Sequence, residues 1–376
     1  MRTKRVERLK PSATLEISET AKRLKREGKP VIDASVGEPD FRTPEHIVNA
    51  AIKALKEGKT KYTQTRGIPE LVEAIIEKYE KDGVNLDQKN IVVTPGAKYA
   101  IFEAIMSLIE DGDEVILLDP SWVSFEACVL LADGKVRWVP HSKDFQDAPI
   151  EDCITNKTKM IIINSPNNPL GVVYPKKFLK KIRDLVIDHN LFLISDEIYE
   201  KIVFDEKFES MLKFEEIFNN LIVINGFSKT YAMTGWRLGF AVGSEQIISK
   251  MIKIQSHSVS HPTSFVQYAG VAALKGDQKC VDEMVKRFKR RRDIVAKGLK
   301  ILDLEFAPPQ GAFYVFVKVK QDGLKFSKSF LEKKFVATVP GIAFGQTFTE
   351  WIRVSYAISE NEINEFLKRL NEFLKS

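Results

Sequence analysis

The chain has 376 residues, 44% hydrophobic and 29% charged, with a formal net charge of +6. This composition supplies a large core, excludes disorder as the main state and allows two or three domains. Three scattered cysteines (Cys128, Cys153, Cys280) make neither a disulfide framework nor a CxxC metal pair. No apolar run approaches a membrane span, and the basic start MRTKRVERLK lacks the apolar stretch of an export signal. A cytoplasmic protein is expected.

In chain order, the first 44 residues are too few to form a domain alone. They are expected to complete one made by the chain's other end, because termini of compact chains often lie close together. Short apolar runs predict strands at 91–94, 114–119, 160–164, 191–195, 221–225 and 238–242. Most are continuous Val/Ile/Leu runs, as in a parallel sheet buried on both faces. Apolar stripes predict helices at Lys98–Ile109 and after Tyr174, where Pro175 suits a first helical position. Residues 45–280 therefore read as an α/β domain of three layers, with helices on both faces of a mostly parallel sheet.

The basic run KRFKRRR at 286–292 follows. Val281, Met284, Phe288, Val295 and Leu299 keep helical spacing through it, so its charges read as a solvated helix face rather than a nucleic-acid site. Strands at 313–319, 335–338 and 351–356 and an amphipathic helix at 360–374 close the chain. Residues 281–376 with 1–44 are expected to form a smaller α+β domain.

Open α/β sheets bind ligands at the carboxyl ends of their strands. After Thr94 comes Pro95-Gly96-Ala97-Lys98, a glycine turn feeding a helix whose N–H groups suit an anion. It is neither a Walker A loop nor a GxGxxG fingerprint. After Asn164 comes the rigid turn SPNNPLG, which fixes the Asn168 amide. Asp196 closes a buried strand, a costly place for a carboxylate. Capping a following helix and meeting a cationic ligand atom both remain open for it. Lys229, in GFSKTYAMTGWRLG, sits between two strands at the same edge, where a desolvated lysine forms Schiff bases. A phosphate turn, an acid for a pyridinium nitrogen, an Asn/Tyr pair and a lysine amine together describe a pyridoxal phosphate site.

With these residues the chain resembles the class I, fold-type I pyridoxal-phosphate aminotransferases, particularly the bacterial aspartate aminotransferase branch. The resemblance runs through Lys10-Pro11-Ser12-Ala13-Thr14, Gly37-Glu38-Pro39-Asp40-Phe41, Lys61-Tyr62, Gly67-Ile68-Pro69, SPNNPLG, SDEIYE, SKTYAMTGWRLG and Ile352-Arg353-Val354-Ser355-Tyr356. It implies that Lys229 is the Schiff-base lysine, that Asp196 pairs with the ring nitrogen, and that Asn168 and Tyr199 bind the ring hydroxyl. It further implies that Ala97, Lys98, Ser228 and Arg237 hold the phosphate, that Trp122 stacks on the ring, and that Tyr62 reaches the neighbouring subunit of a homodimer. Arg353 would clamp the substrate α-carboxylate near Gly37 and Asn168. Lys98, Ser12 and Thr14 would hold a distal carboxylate, which points to aspartate or glutamate with 2-oxoglutarate or oxaloacetate in a ping-pong exchange. Two positions depart from the family pattern. Leu170 replaces a threonine, expected to alter turn packing. Gly226 replaces a serine, expected to remove one phosphate contact.

Within pyridoxal chemistry the alternatives are an aminotransferase for aromatic amino acids, prephenate or alanine, and a lyase. Outside it, an NAD-dependent oxidoreductase lacks its glycine fingerprint, and a ligand sensor would need a DNA-binding module. His257 and His261 would share a face if helical, but a third metal ligand is missing and no metal site is expected.

Overall fold

The computed structural model describes residues 4–9 and 13–375, with side chains described for 6–9 and 16–375. The short α1 (Lys4–Glu7) and α2 (Ala13–Arg26) lead to β1 (Ile32–Asp33), then α3 (Glu45–Lys56) and α4 (Pro69–Glu80). The central part alternates: β2 (Ile91–Thr94), α5 (Ala97–Leu108), β3 (Glu114–Asp119), α6 (Val123–Leu131), β4 (Lys135–Pro140), β5 (Thr158–Asn164), α7 (Lys176–His189), β6 (Phe192–Asp196) and β7 (Leu221–Gly226). Then come β8 (Gly239–Gly243), α8 (Glu245–Ser258), α9 (Ser264–Lys275) and α10 (Lys279–Ile301). The last elements are β9 (Tyr314–Lys318), α11 (Gly323–Lys334), β10 (Val336–Ala337), β11 (Val339–Pro340), β12 (Trp351–Ser355) and α12 (Glu360–Leu374).

The large sheet has the order β2-β8-β7-β6-β5-β3-β4. β8 runs antiparallel to both neighbours, and the other pairings are parallel. Alternation along each strand sorts its side chains onto two faces. Val92, Leu117, Ile162 and Ile224 pack with α5, α6 and α8 on one face. Val93, Leu118, Ile163 and Val223 pack with α4, α7 and α9 on the other. The layers are therefore helix, sheet, helix, and the continuous apolar strand runs reflect burial on both sides. A second sheet, β11-β12-β9, is antiparallel, and β1 pairs in parallel with β10, bringing the two ends of the chain together.

Several expectations need correcting. β4 was not foreseen: it is the edge strand, largely half-exposed or exposed, and Lys135-Val-Arg-Trp-Val-Pro140 carries no continuous apolar run. The two-residue β1 and β11 are too short to leave a period. Pro175 stands at the N-cap of α7 rather than inside it. α8 ends at Ser258, so His257 and His261 do not share a helical face; the His261 ring instead accepts the Thr63 N–H at Nε2. In the basic run, Lys286, Arg287, Lys289 and Arg290 are exposed, but Arg291 is buried. No described helix is long and apolar enough to cross a membrane.

Candidate active site

The parallel strands β2, β3, β5, β6 and β7 all end at one edge. β8 runs the other way and begins there, which is why Arg237, just before it, joins residues that follow the parallel strands. A cavity of about 840 Å³ opens at this edge. The sheet contributes Ala97, Lys98 and Trp122, the turn residues Asn164 and Asn168, and Asp196 and Tyr199 beyond β6. Ser228, Lys229 and Arg237 come from the segment between β7 and β8, while Gly37, Tyr314 and Arg353 close the opposite wall.

Asn164, the last residue of β5, organises the floor. Its Nδ2 donates to the Asp196 carbonyl at 2.9 Å and its Oδ1 accepts the Asn168 N–H at 2.8 Å. The SPNNPLG turn is thereby fixed against the end of β6. Leu170 is wholly buried in the adjacent core, where its side chain packs among apolar neighbours. No helix follows Asp196; its carboxylate accepts the Ile198 N–H at 3.1 Å in a turn. Burial pushes this carboxyl up to about 7, against the Ile198 bond and the charge of Lys229. Burial lowers Lys229 to about 8; Glu38 opposes the change, and Arg353 and Arg237 add to it. The Lys229 Nζ donates to the Gly37 carbonyl at 2.5 Å.

Arg353, from the middle of β12, is 4% exposed. Its guanidinium stacks on Tyr314 and Phe344, donates to Asn168 Oδ1 at 3.1 Å and to the Ser35 carbonyl at 2.5 Å. The Tyr314 hydroxyl in turn bonds that of Tyr199 at 2.9 Å. A planar, fixed cation facing a cavity is suited to grip one carboxylate through two parallel bonds. Lys98 lies on the sheet side, its Nζ 5.1 Å from the Trp122 ring. Burial lowers its ammonium, opposed by Cys128 and helped by Arg237.

The start of α5 forms a cradle. Gly96 has φ +86°, and a Cβ there would come within 2.5 Å of the Arg237 guanidinium. A Cβ at Gly239 would stand 2.4 Å from the Ala97 nitrogen. The two glycines thus let β8, Arg237 and the helix N-terminus converge, where N–H groups and the helix dipole favour an anion. Gly226 has a related reason: a Cβ there would lie 2.9 Å from the Gly239 Cα, so a serine does not fit between β7 and β8.

Tyr62 is not brought to this cavity. It is 91% exposed, its ring edge-on to His261 at 5.6 Å. Ser12 and the Thr14 side chain lie outside the described residues. Ser35, Glu38, Asn164 and Tyr314 were not singled out from the sequence; Glu38 lay in a quoted motif, and only the fold reveals the others.

The model of aminotransferase class I and II matches residues 29–370. The chain belongs to this family. An aspartate aminotransferase of Thermotoga maritima is 43% identical over 100% of both chains. A (5-formylfuran-3-yl)methyl phosphate transaminase of Methanocaldococcus jannaschii is 40% identical, again over 100% of both. The solved structure of Thermus thermophilus aspartate aminotransferase with maleate superposes with a TM-score of 0.95 at 37% identity, covering 99% of this chain and 100% of that one. Members of the family depend on pyridoxal phosphate, and the site of this aminotransferase fits that cofactor. Asp196 is a buried acid raised by desolvation in spite of the Lys229 charge, as suits a partner for a pyridinium nitrogen, and a glycine-built anion cradle lines the same cavity.

Proposed function

We propose that this aminotransferase takes the amino group of L-aspartate or glutamate, returns it to 2-oxoglutarate or oxaloacetate, and holds its cofactor through the residues described above. When bound, pyridoxal phosphate supplies the electron sink for the carbanion left by loss of the α-proton. Asp196 would hold the ring nitrogen protonated. Asn168 and Tyr199 would bind the ring hydroxyl, and Trp122 would stack on the ring. The Ala97 and Lys98 N–H groups, Ser228 and Arg237 hold the phosphate. Lys229 would anchor the cofactor and then move the α-proton at Nζ; burial near other cations lowers that amine to about 8, so its neutral form is far more accessible near neutral pH than an ordinary lysine's. Arg353 grips the α-carboxylate beside Gly37 and Asn168. Residues 45–280 are taken as the cofactor domain and 1–44 with 281–376 as the small one, a division supported by the β1–β10 pairing. Three free thiols suit a cytoplasmic setting.

The observation that carries the substrate assignment is Lys98, a further cation in the cavity that Arg353, Lys229 and Arg237 also line. Lys98 stands at the start of α5, where the helix dipole disfavours a cation. A distal carboxylate gives it a purpose, with Ser12 and Thr14 assigned to the same end. The Thermus relative solved with maleate, a dicarboxylate, supports the assignment. The test compares kcat/KM for aspartate, glutamate and phenylalanine in wild type and Lys98→Ala. Aspartate should lose about tenfold more than phenylalanine, the weight of one charge-assisted bond. Equal losses would leave Lys98 a cofactor ligand and remove the aspartate preference. The Methanocaldococcus relative that acts on a phosphate ester sets the second reading, because a phosphate would use the same cation.

A further inference from the structure

Residues 33–41 cross the cavity wall between β1 and α3 and touch both of its deep cations through backbone carbonyls. The Ser35 carbonyl accepts from Arg353 and the Gly37 carbonyl from Lys229, each at 2.5 Å. A Cβ at Gly37 would sit 3.1 Å from the Tyr314 hydroxyl, so the strand of backbone is pressed against the site. The start of this strap is tied by Asp33, which accepts the Ser35 hydroxyl at 2.6 Å. Its far end is tied by Asp40. The Asp40 carboxylate meets Arg291 in a two-bond fork, Oδ1 to Nη1 at 2.7 Å and Oδ2 to Nη2 at 2.8 Å. Arg291 is the buried member of the basic run, 6% exposed, and Phe41 beside it lies edge-on to Phe288 at 5.3 Å, with the Arg291 guanidinium 5.2 Å from its ring.

A planar two-bond fork, its arginine buried and its carboxylate partly open to solvent, fixes direction as well as distance, which an ammonium cannot do. Its position on α10 is rigid, because Met284, Phe288, Val295 and Leu299 of that helix are packed in the small-sheet core. We propose that Asp40 and Arg291 are a positioning pair: they hold the Ser35–Gly37 carbonyls where Arg353 is aimed into the cavity, and so set affinity for the α-carboxylate of every amino-acid substrate. The inference rests on Arg353 being the α-carboxylate clamp. It gives one arginine of the basic run a purpose that solvation does not supply. It also separates two kinds of binding: the strap acts at the end of the substrate that all amino acids share, Lys98 at the end where they differ.

The test uses cofactor-loaded Asp40→Asn, Asp40→Glu, Arg291→Lys and the paired Asp40→Asn/Arg291→Gln variant, in which neither charge is left alone. Interactions made equally in ground and transition state move KM and spare kcat, so KM should rise about tenfold in Asp40→Asn and Arg291→Lys while kcat stays within about threefold. Aspartate and phenylalanine should be affected alike. The calorimetric Kd of maleate, which has no amine to transfer, should rise in parallel. Asp40→Glu, which keeps the carboxylate, should recover part of the loss. KM and maleate affinity unchanged in variants that fold would overturn the proposal, as would lowered melting temperature with unchanged KM in the paired variant. If Arg353→Lys also leaves KM unchanged, the fault lies with the clamp assignment; if Arg353→Lys raises KM and the Asp40 and Arg291 variants do not, the positioning role alone fails.

Discussion

Asp196 and Lys229 sit in one buried site, and burial works against the charged form of each. The folded value of Asp196, about 7, lies above its ordinary 3.8. Its contribution to stability is therefore fully present below the ordinary value and is lost as pH rises through about 7. Replacing it by a neutral amide removes that loss. Stripped of cofactor, Asp196→Asn should melt higher than the parent at about pH 8, and the gap should narrow toward about pH 5. With pyridoxal phosphate bound the order should reverse at about pH 8, because the carboxylate then faces a cationic ring nitrogen. Turnover should fall by a factor of about 10–150, the weight of a charge-assisted bond worth about 1.5–3 kcal/mol. Thermal melts with and without cofactor across this range check the sign, and steady-state rates check the size. An Asn variant with parental turnover would reduce Asp196 to its turn-forming bond with Ile198.

At the scale of elements, the glycine turn before α5 carries more than a helix start. Gly96→Ala combines a left-handed φ with a collision against Arg237, whereas Gly112, at φ +89°, has nothing within 4 Å of its Cβ position. Both Ala variants should lose about 1 kcal/mol of stability to backbone strain. Only Gly96→Ala should also release pyridoxal phosphate more easily, by about tenfold or more in Kd, because the guanidinium is pushed from the cradle. Equilibrium dialysis of the two variants decides it; equal cofactor affinity would mean the convergence of β8 and α5 does not build the anion site. This contrast also marks what the sequence could reveal. The buried strands β2 and β3 and the final helix were legible to the residue, because continuous apolar runs and a capped 3.6-residue stripe are local signals. β4 was hidden by its exposure at the sheet edge. The residues after the strands were legible as a set because a parallel sheet gathers them on one edge. The Ser35–Arg353 bond spans 318 positions and the Asp40–Arg291 fork 251, and no periodicity records such pairings. Gly226 looked like a lost phosphate contact until the Gly239 backbone beside it gave the steric reason.

At the scale of the whole molecule, Tyr62 is the element left outside its own cavity. It is 91% exposed, and its ring leans on His261, whose Nε2 accepts the Thr63 N–H. The segment is therefore held, while the Tyr62 side chain stays open to solvent. Val259 nearby in sequence to His261 and Ile52 and Leu55 of α3 are also exposed, at 43%, 43% and 44%. Exposed apolar side chains suit burial against a partner, and a two-fold dimer would present the same residues from both subunits. We propose that Tyr62 completes the phosphate site of the second subunit. The decisive measurement mixes two damaged chains, Lys229→Ala and Tyr62→Ala, each with little or no activity alone. If Tyr62 serves the neighbour, the hybrid dimer holds one site with both lesions and one with neither. Activity should then return at one intact site per hybrid. If Tyr62 serves its own chain, each site keeps one lesion and no activity returns. Sedimentation of the hybrid must give twice the 42.8 kDa of one chain; an active species at the monomer mass would remove both the shared site and the dimer that requires it.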